Sequence, residues 1–121
     1  MSSVVELKDE MITTHVLDTS RGEPAVGMTV ILEMRQASEW SRIGRGTTGG
    51  NGRVDGLAEG KTIAPGTYRL TFDTGSYHRN QGIATPFFSE VKIVFNVRDT
   101  GQRYHVPLLL SAFGYSTYRG A

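Results

Sequence analysis

The residues of this chain with types suited to chemistry are three histidines, one arginine behind a run of glycines, and an aromatic, cationic tail. The histidines are His15 in "TTHVLD", His78 in "SYHRN" and His105 in "RYHVPLL". Histidine is the side chain that takes up and releases a proton close to neutral pH, so a histidine could serve as a general base, although a surface or satisfied histidine is the commoner case. The three do not follow a zinc-binding spacing, and His78 sits in a polar stretch that predicts a surface position, so no metal site is expected. Arg53 closes the run "GGNGR". In the plain reading it is an exposed loop charge. In the functional reading its planar fork holds a carboxylate-like or ureide group through two parallel hydrogen bonds. The chain ends in "GYSTYRGA", with Tyr115, Tyr118 and Arg119 among its last seven residues. Chain ends are commonly loose and poor in anchors, so a tail of this composition needs something to order it.

Several other chemistries find no support. The absence of cysteine removes disulfides, thiolate metal ligands and a cysteine nucleophile together. No G-x-S-x-G elbow occurs, and no serine carries a local signature of nucleophilic catalysis. A hydrolase built from these residues would therefore use water, activated by histidine. The stretch "GRGTTG", Gly44 to Gly49, matches the glycine pattern of dinucleotide-binding turns. That pattern needs a following helix, whereas "GNGRVDG" is turn chemistry; a glycine-rich hairpin or bulge is the expected structure. With 13 basic and 12 acidic residues the formal net charge is +1, which leaves no electrostatic footprint for nucleic acid or an anionic membrane. No apolar run is long enough to span a bilayer. The opening "MSSVVELKDE" lacks a basic and apolar signal pattern and reads as a polar lead-in, residues 1–10, ahead of one domain over 11–121. These features predict a cytoplasmic protein, or a peroxisomal one in a eukaryote.

The elements that must position the candidates repeat with a period of two. In "TYRLTFD" Tyr68, Leu70 and Phe72 share one face, and in "SEVKIVFNV" Val91, Ile93, Phe95 and Val97 do the same. In "QRYHVPLLL" Tyr104, Val106, Leu108 and Leu110 form one face, which leaves His105, Pro107 and Leu109 on the other. Pro107 cannot donate to a ladder, so pairing should break there or the strand should be an edge. The apolar outward neighbours of His105 suggest that this face meets a partner subunit rather than water. "MITTHVLD" and "MTVILEMRQ" are strand-like with less clean faces, and "SEWSRIGRG" is a further strand. Turn signals separate these runs, and "DTGSYHRNQG" fits one short helix. Seven or eight short strands at this spacing predict an antiparallel β-sandwich or barrel.

"TTHVLDTSRGEPA" near the start and "YHVPLLLSAFGYSTYRGA" at the end resemble the two signatures of the transthyretin-like family, in particular its 5-hydroxyisourate hydrolase branch. The resemblance runs from about Met11 to Ala121. It implies an all-β, transthyretin-like β-sandwich of two four-stranded sheets with one short helix. It also implies a homotetramer, a dimer of dimers, with active sites in clefts where subunits meet. The implied activity is ring-opening hydrolysis of 5-hydroxyisourate, a purine-derived small molecule of urate degradation, without a cofactor. By the same resemblance His15, Arg53 and Tyr118 contact substrate, His105 belongs to their catalytic cluster, and Arg119, Gly120 and Ala121 of the terminal motif complete the substrate-binding set, with Arg119 serving either substrate or, as the favoured role, the neighbouring subunit as a brace. That motif normally ends in serine. Here Ala121 keeps the backbone carboxylate but lacks the hydroxyl. Two other readings use the same fold: a carrier of small ligands, and a pseudoenzyme weakened by the missing serine.

Overall fold

The structure, a computed structural model, describes residues 11–121; the expected lead-in, residues 1–10, lies outside them. In chain order its elements are β1 (Ile12–Thr13), β2 (Val16–Asp18), β3 (Glu23–Pro24), β4 (Thr29–Gln36), β5 (Glu39–Thr47), β6 (Gly66–Phe72), α1 (Thr74–Asn80), β7 (Val91–Val97), β8 (Tyr104–His105), β9 (Leu108–Leu110) and β10 (Tyr115–Thr117). They form two four-stranded sheets, ordered β5-β4-β6-β7 and β10-β9-β2-β3, and a two-stranded pair of β1 with β8.

The first sheet is antiparallel throughout. Its strands are long, and their alternation is plain: Val30, Leu32, Tyr68, Leu70, Phe72, Val91 and Val97 are buried, while the residues between them are half-buried or exposed. The buried set packs with Val16, Leu108 and Leu110 of the other four-stranded sheet and with Ile12 of the β1-β8 pair in one core. Burying each large side chain of this kind stabilises the fold by roughly 1.5–3 kcal/mol. Gly44 and Gly46 lie within β5, not in a turn, next to an irregularity in register at Leu32/Glu33. A Cβ on Gly44 would sit 1.7 Å from the Leu57 carbonyl oxygen, so glycine lets the 54–58 segment lie directly on the strand.

The second sheet is shorter and not purely antiparallel. β2 pairs with β9 in parallel, and β1 pairs with β8 in parallel in the same register. Backbone bonds from Val106 N to the Thr13 carbonyl (2.9 Å) and from Leu108 N to the His15 carbonyl (2.9 Å) carry that register past the interruption. The interruption falls at Pro107, which has no N–H to give; its side chain is buried within the chain.

Helix α1 spans seven residues. Asp73 caps it, its Oδ1 accepting from Ser76 N at 3.1 Å. The Tyr77 hydroxyl donates to Oδ2 of buried Asp18 at 2.7 Å, which ties the helix to β2. Burial, then the Asp18 carboxylate, push the Tyr77 phenol well above its ordinary range. His78 does not lie at the surface, as its polar neighbours predict, but is 2% exposed. The reason is local: His78 stands one helical turn after buried Thr74, so it falls on the inward face of a helix whose outward face holds the polar residues. No helix among the described residues is long and apolar enough to cross a membrane.

Candidate active site

Strand parity decides which way the candidates face. Along the chain from Ile12 to Asp18, Ile12, Thr14, Val16 and Asp18 are buried, and Thr13, His15 and Leu17 are only partly covered. In the parallel register Thr13 lies beside His105 and Leu17 beside Leu109, so both histidines belong to the outer face of the second sheet. His78 is in the interior on α1, so the three histidines do not converge.

Arg53 is brought to the same face by the loop that contains it. His15 and Arg53 form an isolated antiparallel bridge, and Val16 N donates to the Gly52 carbonyl at 2.8 Å. Gly52 has φ +80°, and a Cβ there would come within 2.4 Å of the Val16 carbonyl oxygen and 3.2 Å of His15 Cδ2. Only glycine permits both the backbone conformation and the approach. Asn51 holds the turn from two sides. Its Oδ1 accepts from Arg53 N at 2.9 Å, and its backbone carbonyl accepts from His15 Nε2 at 2.7 Å.

His105 is gripped from below and above. Its Nδ1 lies 2.9 Å from Thr13 Oγ1, and its carbonyl accepts from Gly120 N at 2.8 Å. The tail thus returns along β8 and lays Gly120 against the imidazole; a Cβ on Gly120 would be 2.6 Å from His105 Cδ2. Partial burial is the main cause that lowers the His105 pKa below the ordinary histidine value; the Arg53 guanidinium and His15 add to it, and a backbone hydrogen bond to Thr13 opposes it. A lowered pKa favours the neutral form of His105, the state a proton acceptor needs.

The other tail residues lie elsewhere in a single chain. The Tyr118 ring is exposed and lines a mainly apolar groove with Ile93, Phe95, Tyr104, Val106 and Arg119, away from the two histidines. Arg119 lies 4.5 Å over the Tyr104 ring, and its guanidinium donates to Gln102 Oε1 and the Arg103 carbonyl at 2.8 and 3.1 Å. These contacts brace the tail against the 98–104 turn. Ala121 is exposed. So His15, Arg53, His105 and Gly120 come together, whereas Tyr118, Arg119 and Ala121 do not join them within one chain. Sequence reasoning missed Thr13, Asn51 and Gly52. For Thr13 a signal existed: it stands two residues before His15, on the same strand face.

The chain resembles known proteins along nearly all of its length. A probable 5-hydroxyisourate hydrolase of Caenorhabditis elegans is 46% identical over 110 residues, which cover 91% of this chain and 81% of that protein. The 5-hydroxyisourate hydrolase of Salmonella dublin is 42% identical over 113 residues, 93% of this chain and 82% of that one. Among solved structures, Klebsiella pneumoniae 5-hydroxyisourate hydrolase matches with a TM-score of 0.80 and 30% identity over 93% of this chain and all of that one (100%). Sea bream transthyretin in complex with thyroxine matches with 0.86 and 31% over 93% and 96%. An (S)-allantoin synthase matches with 0.82 and 35% over 92% of this chain but 43% of that longer one. The family model described as the HIUase/Transthyretin family matches residues 12–120, and the chain belongs to that family.

Proposed function

We propose that this protein hydrolyses 5-hydroxyisourate, opening the six-membered ring at its N1–C6 amide to give 2-oxo-4-hydroxy-4-carboxy-5-ureidoimidazoline. The observation that carries this reading is the pair His15 and His105 on one sheet face, with Arg53 bridged to the first and acting electrostatically on the second. One histidine takes a proton from water, and the water oxygen attacks the C6 carbonyl. Arg53 holds the polar edge of the ring and steadies the negative charge that develops on the carbonyl oxygen. Breaking the C6–N1 bond frees the nitrogen, which takes up the proton, and C6 becomes the new carboxylate. Fold likeness alone would serve a carrier equally well, since both the hydrolase and the thyroxine complex match closely. The titratable trio favours the hydrolase, because an apolar cargo needs no such group.

The working form in this reading is a homotetramer in which Tyr118 reaches the substrate ring from a subunit boundary. Two observations support self-association. Phe87 and Phe113 are 67% and 80% exposed and join Phe88 and Tyr115 in a chain of ring contacts, an apolar cluster left open to solvent. β7 and β10 are also open edges of their sheets, at the groove lined by Ile93, Phe95 and Tyr118.

The test is an ultraviolet time course in which urate oxidase makes 5-hydroxyisourate in situ. Decay clearly faster than the spontaneous reaction supports the hydrolase. Decay at the spontaneous rate, from folded and assembled protein, overturns it and leaves the carrier or the pseudoenzyme.

A further inference from the structure

The two histidines lie on the same sheet face but are held by different kinds of partner. His15 Nε2 lies 2.7 Å from the backbone carbonyl of Asn51. A carbonyl only accepts, so Nε2 of His15 must carry a hydrogen, and that nitrogen is committed as a donor. His105 Nδ1 lies 2.9 Å from the hydroxyl of Thr13, which can accept or donate. If the hydroxyl donated, the remaining hydrogen of a neutral His105 would sit on Nε2, and no lone pair would be left for water. If Nδ1–H donates to Thr13 Oγ1, the Nε2 lone pair stays open.

Resting on the hydrolase reading above, we infer that Thr13 is a positioning residue: its hydroxyl accepts from His105 Nδ1–H, fixes the tautomer with a free Nε2, and so readies His105 to act as the base. The fold suits Thr13 to the task. It pairs with His105 in register, and its carbonyl is occupied by Val106 N, so its backbone is fixed on the β8 side. Being β-branched, it also has few side-chain rotamers to sample on a strand. Asn51 fixes the other ring in the same manner: its carbonyl keeps the hydrogen on His15 Nε2, so a neutral His15 presents Nδ1 as an acceptor, and the bond ties the ring to the loop that carries Arg53.

The test pairs spectroscopy on the unaltered protein with kinetics on two variants. Nitrogen-15 shifts of the His105 ring at pH 8 should show a protonated Nδ1 and a bare Nε2. Thr13→Val keeps the shape and removes the acceptor. Its kcat should fall about tenfold, the worth of one hydrogen bond, with KM little changed and a mixed His105 tautomer. Thr13→Ser should recover most of the rate and the single tautomer. A bare Nδ1 in the unaltered protein, or a folded Thr13→Val that turns over at the wild-type rate, overturns the inference. If the unaltered protein does not accelerate 5-hydroxyisourate decay, the hydrolase reading has failed on its own, and the ring shifts still decide the tautomer. Failure of Thr13→Val to fold leaves the wild-type shifts and Thr13→Ser to decide the matter.

Discussion

The two four-stranded sheets divide the work of the molecule unequally. The β5-β4-β6-β7 sheet has strands of seven to nine residues in unbroken antiparallel ladders, apart from one irregularity at Leu32/Glu33. None of the candidate histidines lies on it. The β10-β9-β2-β3 sheet has strands of two or three residues and one parallel pairing, β2 with β9, whose register continues across a gap at Pro107 into the parallel β1-β8 pair. His15 and His105 both stand in or beside its breaks: His15 lies between β1 and β2, and His105 closes β8 just before Pro107. A continuous ladder would use the backbone groups that here receive Gly120 N and the Arg53 loop. The regular sheet supplies a rigid base, and the interrupted one supplies backbone positions at which a tail and a loop can dock.

If that division holds, His105→Asn should produce the largest functional loss with little structural cost. The side chain is on the outer face and only half-buried, so the core is untouched. Loss of a general base lowers turnover by roughly 10²- to 10⁴-fold. Single-turnover decay of 5-hydroxyisourate measures it, and size-exclusion chromatography checks that the assembly is unchanged. Turnover close to wild type would mean that the interrupted sheet is not where the chemistry happens.

The converse change attacks the other sheet. Phe72 on β6 is 0% exposed within the shared core. Phe72→Ala should cost about 3–5 kcal/mol through lost burial and the cavity it leaves. Urea unfolding reads the loss. The pH dependence of kcat in the fraction that remains folded should stay as in the wild type, because no titratable group of the site contacts this position. A displaced pH profile would show that the two sheets are not separate in function.

The same division explains how much the sequence disclosed. The period-two pattern was legible wherever inward positions were all apolar, as in Tyr68, Leu70 and Phe72, and the helix and the break at Pro107 could be read from local chemistry alone. "MITTHVLD" looked irregular although its alternation is strict. Two of its inward residues are polar, and both are satisfied by distant partners: Thr14 Oγ1 donates to the Val106 carbonyl at 2.6 Å, and Asp18 accepts from Tyr77. Those partners stand 92 and 59 positions away, so nothing local marks them. The parallel pairings are hidden for the same reason. His78 was misplaced because its flanking residues are polar, while a helix sorts residues by turn rather than by neighbour. The resemblance pointed to His15, Arg53 and His105, but it could not show that Gly120 rather than Tyr118 is the tail residue packed on His105 within one chain.

The smallest effect concerns charge alone, and it sharpens the comparison by asking how the loop speaks to the strand. Burial first, then Arg53, lower the His105 pKa. His105 serves as a base only when neutral, so kcat/KM should fall as pH drops through a value below that of ordinary histidine. Arg53→Gln removes one of the causes that lower this pKa. The acid limb should therefore move toward higher pH, and turnover at mildly acidic pH should drop further than at pH 8. Arg53→Lys separates the two roles of the side chain. It keeps the charge and should leave the limb nearly in place, while the plateau falls because a lysine cannot offer two parallel hydrogen bonds. Arg53 is exposed, so its influence is open to screening. Raising the salt should shift the wild-type limb upward and move the Arg53→Gln limb less, since only the His15 charge is then left to screen. A limb that ignores both Arg53→Gln and salt would mean that burial alone holds His105 neutral, and that the loop serves the substrate without tuning the strand.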